Sequence, residues 1–204
     1  MKMKKNIFKI LLLALTLVFS ACASKDDSSS SLDIFSSDQT EEAVALIDDA
    51  NVKLKEIKQI LKENDGRLDD LKTALSAKDA AKVKQISDQL INQIGLGTKK
   101  GEEALAKIDE AQRLNINDDY KSYLGLKAQS LLKYAEAYEE RRKLAVTLRD
   151  NYDPKNAEQR KKVVAEFEDR EVTFLNLMKE AGKFSDQAIL LAKEANLKKK
   201  AEKE

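Results

Sequence analysis

The chain has 204 residues, of which 37 are basic and 36 acidic, so its formal net charge is +1. It contains no histidine and one cysteine, which excludes Ser-His-Asp and Cys-His nucleophiles, Glu-x-x-His di-iron sites and imidazole ligands for zinc or haem. A near-neutral chain also gives no reason to expect nucleic-acid binding. The carboxylates, lysines and tyrosines that remain occur all over helical surfaces, so we expect no enzyme, no cofactor and no metal site.

Residues 1–22 have the order of charged, apolar and small residues that is typical of a secretory signal. Four lysines come first: Lys2, Lys4, Lys5 and Lys9. An apolar run from Ile10 to Phe19 follows, and then Ser20, Ala21 and Cys22. The run is about half of the roughly 20 residues that a transmembrane helix needs. We therefore predict a cleaved signal peptide over residues 1–21 rather than a permanent spanning helix.

The stretch Phe19-Ser20-Ala21-Cys22 resembles the lipobox of bacterial lipoproteins. The resemblance implies that the Cys22 thiol receives a diacylglyceryl group and that the new amine is acylated after cleavage, for example with palmitate. Two acyl chains already hold a protein stably on a membrane. The alternatives are an ordinary secreted protein or a buried free thiol. Cleavage removes four lysines and leaves 33 basic against 36 acidic residues, a formal charge of −3.

The resemblance also implies a location in the cell envelope. Ala23, not aspartate, follows the lipid-bearing cysteine, which implies the outer membrane in a host with two membranes. In a single-membrane host the same anchor implies the outer face of the cytoplasmic membrane.

Residues 22–38 are rich in serine and aspartate, and their only large apolar residues are Leu32, Ile34 and Phe35. Such a segment has too little to bury for a core of its own. We predict a flexible tether that, as a coil, holds the next element roughly 20–25 Å from the membrane.

A heptad pattern begins after Gln39. Apolar residues recur every seven positions, at Ile47, Leu54, Leu61, Leu68 and Leu75, with Ala50, Ile57, Asn64 and Leu71 three positions after the first four. The pattern keeps its phase across Gly66, and a break would usually shift it. It predicts one helix over about residues 39–76.

The next helix follows Ala77-Lys78-Asp79, where Asp79 is the predicted N-cap. Two apolar stretches continue the pattern: Val83, Ile86, Leu90 and Ile94, then Leu105, Ile108, Ala111 and Leu114. The glycine-rich stretch 95–101 between them lacks the Gly-Lys-Ser/Thr spacing of a P-loop. It is either a connector between two helices or part of a continuous helix whose glycines allow a close crossing.

Two further helices are predicted. Residues 115–118 form a turn and cap cluster, and a helix follows over about residues 119–149. The stretch 150–154 ends it, with Asp153 as the N-cap and Pro154 at the first position of a last helix that runs into the 190s. The charged tail 198–204 should fray.

Together these elements predict an all-α fold: an elongated antiparallel bundle of four long helices over residues 39–197, after the flexible tether. Helices of 33–40 residues would each be roughly 50–60 Å long. The alternative is five or six shorter helices, with breaks at Gly66 and Gly97.

Few side chains suggest a functional site. Acidic pairs such as Asp48-Asp49 do not converge on a helix, and the loop with Asp150, Asn151, Asp153 and Asn156 lacks the spacing of an EF-hand. The third helix offers a possible interaction face: Tyr120, Tyr123, Tyr134, Arg141 and Arg142. Aromatic rings beside arginines can grip a glycan, a headgroup or a partner helix. In the alternative interpretation Leu124, Leu131 and Tyr138 form the core stripe, and the other tyrosines cover the bundle edge with their hydroxyls in water.

The sequence therefore predicts a lipid-anchored cell-envelope helical protein, exported to the periplasm or cell surface, with a structural or protein-interaction role. Its expected partners are the membrane, through the acyl chains, and an envelope protein or cell-wall component. The alternative is a helical bundle that binds cell wall, a small molecule or a peptide. The long charged helices resemble those of helical lipoproteins proposed to bind cell wall, and an inward polar residue such as Asn64 would mark a ligand cavity.

Overall fold

The computed structural model describes residues 39–201, with the side chains of residues 39–64 and 66–194. The predicted signal peptide, the lipid-bearing Cys22, the tether and the last three residues lie outside this range. The described part is 91% helical and contains no strand. It consists of four helices: α1 (Thr40–Ser76), α2 (Ala80–Gln112), α3 (Asp118–Asn151) and α4 (Ala157–Ala201). The predicted all-α fold of four long helices is confirmed.

The glycines do not interrupt the helices. Helix α1 continues through Gly66, and α2 continues through Gly95, Gly97 and Gly101. The alternative with breaks at Gly66 and Gly97 is therefore wrong. A Cβ atom added at Gly66 or Gly95 would meet nothing within 4 Å, so no close crossing demands glycine at these two positions. For α1, the heptad pattern that keeps its phase across Gly66 is therefore sufficient to predict a continuous helix.

Side-chain caps fix the starts of the second and third helices, as the sequence predicts. Asp79 accepts a hydrogen bond from the Lys82 amide at 3.0 Å, and the Asn117 side chain accepts one from the Tyr120 amide at 2.8 Å. Lys78 has a φ of 57°, a left-handed conformation that turns the chain between α1 and α2. Such caps satisfy amides that a helix leaves unpaired at its start.

The predicted start of the last helix is wrong. Helix α4 begins at Ala157, and its cap is Asn156, whose side chain accepts from the Gln159 amide at 3.0 Å. The Asp153 carboxylate instead accepts from the Lys155 amide at 2.8 Å, which stabilises a turn. Pro154 lies in this turn. Asp153 and Asn156, three residues apart, are both residue types that cap helices. The backbone amide that Asp153 binds belongs to the loop and not to the first turn of α4.

The four helices form an antiparallel bundle that is open on one side. Each helix packs against the next one in the chain, but no Cα atoms of α1 and α4 come within 8 Å of each other in the described residues. A closed four-helix bundle would bring these two helices together as a fourth neighbouring pair. The side of the bundle between α1 and α4 is called the α1–α4 groove below.

Three apolar clusters fill the interior. Two of them, at the middle and at the end with the α1–α2 turn, draw residues from all four helices. The cluster at the opposite end combines α1, α2, the α2–α3 turn and α3, and none of its residues comes from α4. At that end α4 still packs against α3: the Ser130 hydroxyl donates a hydrogen bond to the Ala181 carbonyl at 2.9 Å, and Ala181 and Ala188 are fully buried.

Candidate interaction site

The predicted interaction face on α3 is only partly exposed. Tyr120 is fully buried and Arg141 is 8% exposed, whereas Tyr123, Tyr134 and Arg142 are half-buried. The five residues therefore do not form one exposed face, and that prediction is wrong for Tyr120 and Arg141. The alternative, with all the other tyrosine hydroxyls in water, is wrong for Tyr120 as well.

The reason lies in the heptad phase of α3. Five residues of this helix are spaced by seven: Tyr120, Lys127, Tyr134, Arg141 and Leu148. Residues with this spacing share one stripe of a helix in a bundle, and we call this set the α3 seam. Its two ends are buried, with 0% exposure at Tyr120 and 1% at Leu148. Lys127 and Tyr134, in its middle, are half-buried. Tyr134 packs against the middle cluster, which includes Phe174 and Met178 of α4, whereas the apolar cluster nearer the start of α3 contains no α4 residue.

The upper part of the seam combines aromatic rings with a cation. The rings of Tyr120 and Tyr123 are 6.1 Å apart between centroids, and the Lys127 ammonium lies 6.0 Å from the Tyr123 centroid. Burial raises the pKa of the Tyr120 hydroxyl well above its ordinary value, so this group stays neutral. Lys127 thus supplies the positive charge at this level, beside an aromatic surface.

Arg141 forms the lower part of the seam and reaches into the core. Its guanidinium carbon lies 3.6 Å from the centroid of the Phe174 ring, and its Nε atom lies 3.7 Å from a carboxylate oxygen of Glu171. The Tyr138 ring meets Phe174 edge-on at 5.7 Å. Arg142, one residue later, points to the surface and binds Glu139 at 2.7 Å, which raises the pKa of Arg142 and lowers that of Glu139.

Asn64 adds a second polar group to this layer. It is 1% exposed, and neither its amide nitrogen nor its amide oxygen has a hydrogen-bond partner among the described residues. The side chain borders a cavity of about 10 Å³. The cavity is lined by Asn64, Leu68, Leu71, Leu90, Ile94, Arg141, Leu144 and Ala145. Space of this size suits about one water molecule, whereas small-molecule sites usually measure about 300–1,000 Å³.

Ion pairs join the helices within each hairpin. Lys100 binds Glu56 at 2.7 Å across α1 and α2, and Arg170 binds Glu140 at 2.7 Å across α3 and α4. The hydrogen bond from Lys100 lowers the pKa of Glu56, and those from Lys143 and Arg170 lower the pKa of Glu140. These pairs are exposed or half-exposed and each contributes modestly to stability.

The described residues offer no group of three or more carboxylate or cysteine side chains that could hold a metal ion. In the 150–156 loop, Asp150 binds Arg149 at 2.7 Å, while Asp153 and Asn156 accept backbone amides. Asp153 and Asn156 thus serve as turn and cap acceptors, in agreement with the interpretation of this loop as a turn. Among the described helices, none is both long and apolar enough to cross a membrane.

Sequence reasoning missed two parts of this site. The residue type of Lys127 gives no sign of a role, although its spacing of seven from Tyr120 and Tyr134 is visible in the sequence. The pairing of Arg141 with Glu171 and Phe174 has no local signal, because the partners belong to another helix.

Comparison with known proteins gives no relative: no family model, no curated protein and no solved structure matches this chain.

Proposed function

We propose that this chain is a lipid-anchored cell-envelope protein whose helical bundle has a structural or protein-interaction role, and that it binds its partner in the α1–α4 groove. The lipobox-like sequence that ends at Cys22 supports the anchor. The observation that carries the interaction role is the half-buried Lys127 of the α3 seam, which lies beside an apolar cluster without α4 residues, one heptad from the half-buried ring of Tyr134.

The chemistry of the groove favours an extended or helical segment of a macromolecule. Half-buried apolar side chains lie at the edges of the apolar clusters on both helices, including Leu54 and Ile57 on α1 and Leu175 on α4. Tyr134 and Lys127 add an aromatic ring and a positive charge. Apolar contacts supply affinity, and a cation beside an aromatic ring selects an acidic or polar group. A partner that combines apolar side chains with a carboxylate fits best.

The alternative role as a small-molecule receptor has less support. The cavity at Asn64 has a volume of about 10 Å³, far below the usual size of a small-molecule site. A peptide or a cell-wall component stays as an alternative occupant of the groove itself.

The anchor is tested by intact mass and detergent partitioning of the natively expressed protein beside its Cys22→Ala variant. We expect the mass of an acylated chain that begins at Cys22, and loss of detergent partitioning in the variant. An unmodified chain that stays in the aqueous phase would refute the anchor.

The interaction role is tested by photo-crosslinking in intact cells, with the probe in place of Tyr134. The control probe replaces Gln129, an exposed residue on the same helix. We expect a discrete crosslinked species from Tyr134 that is absent from the Gln129 control. Its mass spectrum separates a protein partner from wall fragments, and equal labelling from both positions would contradict a role for the groove.

A further inference from the structure

Six exposed lysines lie at the end of the bundle opposite the start of α1. This end consists of the α1–α2 turn and the α3–α4 loop, which meet where the Tyr152 hydroxyl donates a hydrogen bond to the Leu75 carbonyl at 3.2 Å. At the same end Arg149 of α3 lies 3.7 Å from Asp88 of α2. We call the six residues the end lysines: Lys78, Lys82 and Lys84 at the turn, and Lys155, Lys161 and Lys162 at the loop.

The end lysines form no ion pair with any side chain in the described part of the chain. Six other lysines do pair with a carboxylate: Lys53, Lys72, Lys100, Lys107, Lys133 and Lys143. At the end itself Arg149 binds Asp150 at 2.7 Å, and Lys84 adds a longer-range attraction, so the pKa of that carboxyl is lowered.

The net charge of this end is positive. Residues 76–84 and 149–162 contain eight basic and four acidic side chains, a formal charge of +4. Three of the four acids have local roles, because Asp79 and Asp153 accept backbone amides and Asp150 binds Arg149. The end therefore keeps a positive charge that its own ion pairs do not neutralise, and such a charge attracts anions.

Two of the end lysines stand where the backbone favours another type of residue. Lys78 has a φ of 57°, a left-handed conformation that glycine or asparagine adopts at lower cost. Lys82 lies in the first turn of α2, which has no acidic residue, although the start of a helix favours carboxylates. Helices α1 and α3, which begin at the other end, each have two acidic residues there. Helix stability does not explain these two lysines.

The arrangement suits several anionic groups at once. The end lysines are distributed over two connections and the first two turns of α2 and α4, so one small anion cannot contact all of them. Lysine attracts anions as a point charge, without the fixed fork of an arginine. None of the exposed large apolar side chains lies in residues 76–84 or 149–162, so this end has no apolar group to insert into a bilayer. A polymer with closely spaced negative charges fits best.

We propose that the end lysines bind an anionic polymer whose repeating charged groups are phosphates or carboxylates. The chain enters the bundle at the opposite end, where the Gln39 side chain accepts a hydrogen bond from the Asn115 amide at 2.6 Å. Helix α1 has 37 residues and is therefore about 55 Å long. The proposed lipid anchor would hold one end near the membrane and present the end lysines on the far side. This contact goes beyond the proposed function, because it would join the membrane to a polymer independently of any partner in the groove.

The test is fluorescence anisotropy of labelled polyphosphate and labelled polyglutamate with the full chain in neutral detergent. We expect binding to at least one polymer, and roughly tenfold weaker binding when NaCl rises from about 50 to about 300 mM, because salt screens the charges. The end variant, Lys82→Glu with Lys155→Glu and Lys161→Glu, should weaken binding at least about tenfold. The polymer that binds more tightly identifies the charged group, and either result supports the proposal.

The matched control reverses three exposed lysines in the middle of the bundle: Lys55→Glu, Lys62→Glu and Lys179→Glu. The net charge changes by the same amount, but these positions lie more than a Debye length of about 10 Å from the end, so binding should stay within about twofold. Thermal unfolding separates binding from folding. The three changes of the end variant place carboxylates near helix starts, so its Tm should not fall below that of the parent. Lys78→Gly should raise the Tm and weaken binding.

Selective loss of polymer binding in the end variant, with binding kept in the control, supports the polymer site. Equal losses in the two triple variants would show attraction by overall charge and overturn it. Absence of binding to both polymers would overturn it as well. So would displacement of the polymer by mixed micelles with phosphatidylglycerol at an equal concentration of charged groups, which would identify a membrane surface. The Tyr134 crosslink is measured in the end variant too, so failure of the groove and failure of the polymer site are recognised separately.

Discussion

Asn64 is the residue whose replacement tests the interior most directly. Its amide is 1% exposed and has no hydrogen-bond partner among the described residues, and apolar side chains surround it. A buried amide without a partner costs about 1–3 kcal/mol. We therefore expect Asn64→Leu, which keeps the branching of the side chain, to stabilise the bundle.

The magnitude follows from three contributions. Removal of the unpaired amide recovers about 1–3 kcal/mol, and burial of the leucine adds about 1.5–3 kcal/mol. The two methyl groups that replace the amide oxygen and nitrogen are bulkier than they are, and the cavity of about 10 Å³ gives them little room, so overpacking takes back about 1–3 kcal/mol. The net gain is about 1–3 kcal/mol in the free energy of unfolding, or a Tm higher by about 3–10 °C for a domain of this size.

The assay is urea unfolding followed by circular dichroism, with Asn51→Leu as the matched control. Asn51 is a half-buried asparagine of the same helix, and its replacement should change the free energy of unfolding by no more than about 0.5 kcal/mol. Equal m-values in the parent protein and the two variants would show that unfolding exposes the same surface in each, so that a shift in the urea midpoint reports a change in stability. If Asn64→Leu lost more than about 1 kcal/mol, the amide would have to be hydrogen-bonded in solution and the reasoning would be refuted.

Three further predictions concern the rest of the bundle. Arg141→Met should cost about 3–5 kcal/mol because it leaves the half-buried Glu171 carboxylate, one oxygen of which is buried, without its ion pair. The double variant Arg141→Met with Glu171→Leu should recover most of this loss, and equal unfolding curves for the single and double variants would contradict the prediction. Gly95→Ala should raise the stability by about 0.5–1 kcal/mol, since the added Cβ meets nothing within 4 Å in a continuous helix, and a lower Tm would argue for a break there. Acidification should destabilise the bundle: Lys143 holds the pKa of Glu140 below its ordinary value in the folded state, so stability is present above the unfolded pKa of about 4.3 and is lost as the pH falls through the folded one. A pH series of thermal unfolding should show a smaller loss for Glu140→Gln than for the parent protein.

Much of the fold could be predicted because the sequence signals that define a helix, its heptad pattern and its caps, involve residues close together in the chain. The heptad of α1 keeps its phase across Gly66, and the caps at Asp79 and Asn117 act on amides three residues away. Each of these signals lies within one or two turns of the chain. The start of α4 was missed because Asp153 and Asn156 are both good caps, and the choice depends on which nearby amide each side chain binds.

The candidate site was harder to predict because it depends on which helices are neighbours. Tyr120 and Arg141 have polar groups, so an assignment from residue type places them at the surface. Their burial depends on Phe174 and Glu171 of α4 and on the α1 and α2 residues at the opposite end of the seam. A single sequence gives the period of each helix but not the order in which the helices pack. No pattern in the sequence therefore indicated that α1 and α4 would not pack directly against each other.

The α3 seam explains how one stripe can hold the bundle together and still leave a binding surface. At Leu148 the stripe is apolar and packed, and at Arg141 a guanidinium is compatible with burial because it lies over Phe174 and near Glu171. Lys127 is only half-buried, beside an apolar cluster that contains no α4 residue, so its ammonium keeps contact with water. A leucine at this position would add apolar surface to an open groove and favour self-association. Lysine keeps the groove hydrated until a segment with a carboxylate covers it, which is the property that the proposed partner requires.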